Sequence, residues 1–400
     1  MSFLKEQKIE GVLSRGVAEI LPSRIGLKRL MMKKKIRVYQ GFDPSMPSLH
    51  LGNMVGILKL KEFQELGHEV VFLVGDFTGM IGDPTDKLST RKKLSREQVL
   101  KNAKIWKEQI SRFLSFSGKN PAKILFNSQW LDKVSFKDLI EITSHFTVQR
   151  MLERDFFQKR LKLKAPIYLH EFLYPIAQAL DSIFLDTDLE IGGTDQTFNM
   201  LVGRDLMKIM KQKEKFVLTM KLLVDKEGKK VGKTTGGAIF LNLSPEEMFG
   251  AIMSFPDEVI INAFELLTLI SDKERSKIEE QLKNGKIHPK QAKERLAFEI
   301  VTLNYGKDKA KRAQQEFNRV FKNKKLPLSI PTAKVAKKRI SLLDLLVVLN
   351  LASSKSQAKR LILQRGVKIN GKIETDWKKI ILPKKGMVIQ VGKRRFVKIQ

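Results

Sequence analysis

Apolar residues along this chain change their period several times, and each change marks an element. Ile36 and Val38 alternate with Arg37 and Tyr39, the two-residue period of a strand, and Pro44 and Pro47 hold the turn that follows extended. Leu51, Met54, Val55 and Leu58 then fall at the first, fourth, fifth and eighth positions of an amphipathic helix that stops at Gly67. Val70 to Val74 is an apolar strand followed by a loop from Gly75 to Arg91, and Ile124 to Phe126 and Phe216 to Leu218 are shorter strand candidates. This alternation, up to about Thr219, predicts an α/β fold with a doubly wound parallel sheet and helices on both faces. Ligands of such sheets bind beyond the carboxyl ends of the strands, where Gly41 to Asn53 and Gly75 to Arg91 both lie.

The period then becomes purely helical. Pro245 to about Phe321 reads as helices, started by Ser244-Pro245-Glu246-Glu247 and broken at Gly285 and Gly306. Two prolines and a basic run between Leu326 and Lys338 suit a linker. Beyond it, Ser353 or Ser354 caps a helix with Ala358, Leu361 and Ile362 inward and Lys355, Lys359 and Arg360 outward, stopping at Gly366. Val367 to Ile373 carries Asn370-Gly371 between alternating apolar residues, a hairpin signal, and Pro383 to Ile399 adds a further β segment. The expected division is therefore residues 1–244 (the sheet), 245–325 (helices), 326–338 (linker) and 339–400 (a small α+β unit).

Charge singles out the last of these. The chain carries a net +32, and from Lys322 onward 21 Lys and Arg stand against three acids, Asp344, Glu374 and Asp376. A basic helix beside a basic hairpin, with Lys355, Lys359, Arg360, Arg365 and Lys368, offers phosphate contacts to structured RNA, read by shape more than by base sequence. The plain alternative is a solvated charged face. With no cysteine, disulfides and thiolate metal sites are excluded, and the five histidines lack ligand spacing, so no zinc is expected. No apolar run approaches a membrane span and the first residues carry no signal-peptide core, which suits a cytoplasmic enzyme.

Two segments carry phosphate chemistry. His50 and Asn53 fall at the start of the 51–67 helix, where unpaired N–H groups and the helix dipole favour an anion; the plain alternative is a capped turn. Lys230-Val231-Gly232-Lys233-Thr234 looks like a P-loop, but that motif requires a glycine where Glu227 stands, and the preceding residues read as an exposed turn. What survives is a glycine-hinged loop whose ammonium groups can close on a polyphosphate. Tyr174, Gln178 and Asp181 share one helical face, opposite Leu173, Ile176, Ala177 and Leu180, although Pro175 suits only a first turn or a kink.

Taken in order, these segments resemble class I aminoacyl-tRNA synthetases, with Pro47 to Asn53 standing for the HIGH motif and Lys230 to Thr234 for KMSKS. Gly82-Asp83-Pro84-Thr85, Lys87, Arg91, the Tyr174–Gln178–Asp181 face and Gly192 to Gln196 look like the bacterial tyrosyl-tRNA synthetases, and the tail resembles the RNA-binding domain named after ribosomal protein S-four. The resemblance implies a Rossmann-like catalytic domain that activates tyrosine with ATP, releases pyrophosphate and passes tyrosine to the 3′ end of tRNA(Tyr), as a homodimer, with Mg2+ carried by ATP. It further implies that Tyr39 and Asp181 hold the substrate phenol, and that Tyr174, Gln178 and Asp83 take its ammonium. Such a pocket rejects phenylalanine, because buried polar groups would lose their partner; tyrosyl-tRNA synthetases are themselves the standing illustration of that rule.

By the same resemblance Gly41, Asp43, Ser45, Gly193, Asp195 and Gln196 lie along the adenylate, and His50, Asn53, Lys87, Arg91, Lys230, Lys233 and Thr234 gather at the phosphates. Asn53 stands where the motif ends in histidine, Val231, Gly232 and Thr234 depart from KMSKS, and Glu190 replaces a common glutamine. Competing readings are a tryptophan-specific synthetase, a non-catalytic RNA-binding protein on the same scaffold, and a nucleotidyltransferase on the same sheet; Tyr39, Asp181 and the tail favour the tyrosine branch.

Overall fold

The computed structural model describes residues 2–84, 94–228, 230–231, 238–321, 330–336, 339–392 and 395–400. Lys87, Arg91, Lys233 and Thr234 lie outside the described residues. The chain divides into two compact units, Met1–Lys311 and Arg312–Gln400.

The first unit is built on six strands: β1 (Val17–Leu21), β2 (Arg37–Phe42), β3 (Glu69–Val74), β4 (Lys123–Phe126), β5 (Leu189–Gly193) and β6 (Phe216–Met220), in the order β1-β6-β5-β2-β3-β4. β2 to β6 are parallel, and β1 closes one edge antiparallel to β6. Continuous apolar runs such as Val70 to Val74 are buried, as parallel strands covered on both faces require. Strand order reverses between β2 and β5, the place where doubly wound sheets open a crevice.

β5 escapes a period-based reading because its alternation is only Leu189-Glu190-Ile191 before two glycines, yet it is a central strand with Glu190 almost fully buried. β1 is a half-exposed edge strand, whose pattern is correspondingly weak. Tyr39, Val71 and Leu73 pack with Ile176, Ala177, Leu180, Val202 and Leu206 from the helices Leu169–Leu185 and Thr197–Lys211. The Leu51–Glu65 helix packs on β2 and β3.

Ser244 caps the Pro245–Ile252 helix in a reciprocal box with Glu247. The helices Ile260–Leu267, Asp272–Lys283, Pro289–Tyr305 and Lys307–Phe321 follow, and Gly285 and Gly306, at φ +67° and +88°, stand at the two breaks. Arg15 holds the helical segment to the sheet: its guanidinium donates to the carbonyls of Phe264, Glu265, Thr268 and Ile270 at 2.6–3.2 Å, satisfying the end of the Ile260–Leu267 helix. The sheet and the helices up to residue 311 thus share one compact unit, with the Ile260–Leu267 helix packed on the Leu51–Glu65 helix.

The second unit has its own core. Helices Leu342–Val348 and Lys355–Leu363 bury Leu342, Leu345, Leu346, Ala358 and Ile362 against Val367, Ile389, Val391 and Ile399. Its strands are β7 (Thr332–Ala333), β8 (Ile340–Ser341), β9 (Val367–Ile369), β10 (Lys372–Ile373), β11 (Ile380–Ile381), β12 (Val388–Val391) and β13 (Arg395–Ile399). They form a sheet in the order β10-β9-β12-β13-β7 and a β11-β8 pair. Asn370 and Gly371, at φ +49° and +82°, make the expected tight turn between β9 and β10. Ser354 is the helix cap, and Arg365, at φ +57°, rather than Gly366, takes the left-handed turn beyond the helix. Thr332 and Ala333, inside the stretch read as a linker, pair in parallel with β13.

Candidate active site

A cavity of about 650 Å3 opens at the carboxyl ends of β2, β5 and β6. Gly41, Asp43, Ser45, His50, Asn53, Asp83, Tyr174, Gln178, Asp181, Gly193, Asp195, Gln196 and Lys230 all line it. The polar face of the Leu169–Leu185 helix therefore points into the cavity, not to solvent, with Ile176, Ala177 and Leu180 in the core behind it and Pro175 accommodated within the helix.

His50 is both cap and cavity wall. Its Nδ1 accepts from the Asn53 backbone N–H at 3.3 Å while Asn53 Oδ1 accepts from the His50 N–H at 3.0 Å. This reciprocal box orients the imidazole at the mouth of the helix, and it explains how asparagine serves at position 53. The two readings of the motif, cap and site, are thus compatible. Across the cavity Lys230 Nζ pairs with Asp195 Oδ2 at 2.6 Å, in a segment held by the Val231 N–H to Leu223 carbonyl bond.

The acidic groups are held by partners that the sequence did not announce. Asp43 accepts from Thr78 Oγ1 at 2.7 Å and from the Tyr174 hydroxyl at 2.9 Å. Gly75 makes that possible, since a Cβ there would sit 2.1 Å from Asp43 Oδ1. Asp83 accepts from Gln196 Nε2 at 2.7 Å and pairs with the buried Arg154 guanidinium at 3.3 Å. Asp181 accepts from Trp130 Nε1 at 2.8 Å and from Asn127 Nδ2 at 3.3 Å. Burial nonetheless raises its carboxyl well above the ordinary range, those two donors opposing the shift and the nearby acids Glu190 and Asp43 adding to it.

Tyr39 is fully buried and does not line the cavity; its hydroxyl lies 2.8 Å from Ser182 Oγ, and burial pushes its titration well above the usual value. Asn127, Trp130, Arg154 and Lys215 were missed as site residues. Asn127 and Trp130 carry a usable signal, because they directly follow β4 at the carboxyl edge of the sheet. Arg154 and Lys215 carry none, since nothing local distinguishes them from surface cations. Among the described residues no three His, Cys, Asp or Glu side chains are grouped to hold a metal ion, and no helix is long and apolar enough to cross a membrane.

In the second unit Lys355, Lys359, Arg360 and Arg365 are exposed and Lys368 is half-buried. Lys359 Nζ stands 4.0 Å from the centroid of the Trp377 ring, and Lys355 pairs with Asp344 at 2.7 Å.

Residues 31–322 match the family described as tRNA synthetases class I (W and Y), and residues 316–399 match the Tyrosine--tRNA ligase SYY-like C-terminal domain. The chain is 44% identical over 389 residues to a tyrosine–tRNA ligase of Thermotoga maritima, covering 97% of this chain and 96% of that one. The chain belongs to the class I tyrosyl-tRNA synthetase family. It is accordingly an aminoacyl-tRNA synthetase, with tyrosine–tRNA ligation as its reaction. A tyrosine–tRNA ligase of Aquifex aeolicus is 41% identical over 389 residues, 97% of each chain. The fold is also that of a C-terminally truncated mitochondrial tyrosyl-tRNA synthetase of Aspergillus nidulans, with a TM-score of 0.66 at 23% identity over 79% of this chain and 94% of that one. A tyrosyl-tRNA synthetase of Archaeoglobus fulgidus, solved with L-tyrosine, gives 0.60 at 20% identity over 78% and 99%.

Proposed function

We propose that this tyrosyl-tRNA synthetase binds tyrosine and ATP together in the 650 Å3 cavity, forms tyrosyl-adenylate there, and passes the acyl group to tRNA(Tyr). The observation that carries the reading is that His50 and Lys230, 180 positions apart in sequence, reach one cavity with the Tyr174–Gln178–Asp181 face. The tyrosine carboxylate attacks the α-phosphate and pyrophosphate leaves, so no side-chain nucleophile is used; the protein supplies position and charge.

Asp181 takes the phenol, with Tyr39 behind it, and Asp83, Tyr174 and Gln178 take the ammonium. Tyr174 spends its proton on Asp43, which leaves its oxygen as an acceptor. His50, Asn53 and Lys230, with Lys87, Arg91, Lys233 and Thr234 from segments outside the described residues, meet the phosphates. Gly41, Asp43, Ser45, Gly193, Asp195 and Gln196 follow the rest of the adenylate. ATP first separates Lys230 from Asp195, freeing the ammonium for phosphate and the carboxylate for a ribose hydroxyl. Mg2+ travels with ATP, held by phosphate and water.

The second unit binds tRNA through Lys355, Lys359, Arg360, Arg365 and Lys368. Two copies associate, which accounts for large apolar side chains left exposed between residues 136 and 184, among them Phe136, Val148, Leu163 and Leu169. The enzyme works in the cytoplasm, where tRNA is charged. The test is exchange of radiolabelled pyrophosphate into ATP: it is expected with tyrosine alone, and exchange driven by tryptophan, or none, overturns the reading.

A further inference from the structure

Behind the cavity wall lies an ion pair that the reaction as described does not use. Lys215, at the entrance to β6, is completely buried and donates to Ser182 Oγ at 2.8 Å and to Glu190 Oε2. The other oxygen, Glu190 Oε1, accepts from Gln178 Nε2 at 2.8 Å, and both Glu190 and Gln178 line the cavity. Space for the ammonium comes from a neighbouring helix: a Cβ on Gly203 would fall 2.5 Å from Lys215 Nζ. A mid-helix glycine and a desolvated lysine both disfavour folding, and an apolar pair of similar volume would stabilise the sheet equally well. The arrangement therefore points to a role beyond stability.

We propose that Lys215 is a positioning residue for the amino-acid substrate: it fixes the place of the Glu190 carboxylate, and Glu190 in turn fixes the orientation of the Gln178 amide. A carboxylate only accepts, so Gln178 must turn its NH2 toward Glu190 and leave its carbonyl oxygen on the cavity side, where it accepts from the substrate ammonium. Without Lys215 the Glu190 side chain is no longer held, the Gln178 amide can turn, and its NH2 would face the ammonium instead. Lys215, Gly203 and Glu190 thereby act on amino-acid affinity without touching the amino acid. This rests on the tyrosine-binding reading of the cavity.

The test uses the full-length protein in tyrosine-dependent pyrophosphate exchange, with the KM for tyrosine and the KM for ATP measured separately. Wild-type exchange with tyrosine checks the parent reading; the variants check the inference. Lys215→Met is expected to raise the tyrosine KM by about tenfold or more, the effect of one misdirected charged hydrogen bond, with the ATP KM nearly unchanged. Should Lys215→Met fail to fold, Gly203→Ala displaces the ammonium without removing it and produces the same split between the two KM values. An unchanged tyrosine KM in the folded variants, or equal rises in both KM values, overturns the proposal.

Discussion

The cavity of the first unit and the basic surface of the second organise their charges by opposite physical means. In the cavity every described charge has a partner: Asp83 has Arg154, Asp195 has Lys230, and Glu190 has Lys215. Burial there makes an interaction depend on one partner and one geometry, because the low local dielectric penalises any group left alone. On the second unit Lys359, Arg360 and Arg365 are exposed, and solvent and salt screen them. Their combined effect on a polyanion depends on how many there are more than on any one position. The contrast is between charges set by arrangement and charges set by number.

The sharpest way to break this contrast is at His50. His50→Ala is expected to lower kcat for pyrophosphate exchange by about 10²–10³ through loss of a preorganised donor at the phosphates. It also costs about 1 kcal/mol in thermal unfolding, through loss of the cap. His50→Asn separates the two effects, since asparagine caps well: stability returns while kcat stays low. Recovery of kcat along with stability would reduce His50 to a cap.

Next in size is removal of the basic unit. Because Thr332 and Ala333 pair with β13, a chain cut at Ala333 keeps an orphaned strand, and a cut after Phe321 is the cleaner one. That truncation is expected to keep adenylate formation and to flatten the slope of log tRNA affinity against log salt by about four, five cations each contributing about 0.7–0.9. An unchanged slope would remove the second unit from tRNA binding.

Asp181→Asn is expected to reduce kcat/KM for tyrosine by about ten- to a hundredfold, the worth of one buried hydrogen bond left mispaired, in the same exchange assay. The same change is expected to stabilise the fold, with a definite sign in pH. The folded carboxyl titrates well above its ordinary 3.8, so above that pH the unfolded chain has ionised and the folded chain still holds the proton. Wild-type stability therefore falls as pH rises past 3.8, and the asparagine variant escapes that loss. Thermal unfolding of both proteins between pH 4 and 8 reads the difference, which is expected to widen upward in pH; a constant gap would refute it.

The smallest effect sharpens the other side of the contrast. Arg360→Ala should lower the tRNA salt slope by about 0.7–0.9, and Lys355→Ala by less, because Asp344 already holds that ammonium. Equal slopes measured for the two variants would show that the Asp344 pair does not survive in solution.

Much of the site was legible because its residues sit at places that local chemistry marks. His50 and Asn53 open a helix whose apolar period is plain, Tyr174, Gln178 and Asp181 share a helical face, and Asn370-Gly371 dictates a turn. Arg154 and Lys215 were invisible for the complementary reason: a lysine before a strand and an arginine beside a short helix have the local signature of solvent-exposed cations, and only the fold desolvates them. β5 was hidden because its glycines and Glu190 serve the cavity, at the expense of strand pattern.

The amino-acid sequence by itself determined the alternation of strand and helix, the caps and turns, the concentration of positive charge after Lys322, and the likeness to tyrosyl-tRNA synthetases. These are properties of neighbours along the chain, within reach of one helical turn or one hairpin. Only the tertiary structure decided that Lys230 meets Asp195, that Trp130 and Asn127 hold Asp181, that Tyr39 lies behind the cavity wall, and that Lys215 is buried against Glu190. Each of those depends on parallel strands brought together by long crossovers, and burial at such meetings sets the charge and direction of a side chain in a way that no local pattern encodes.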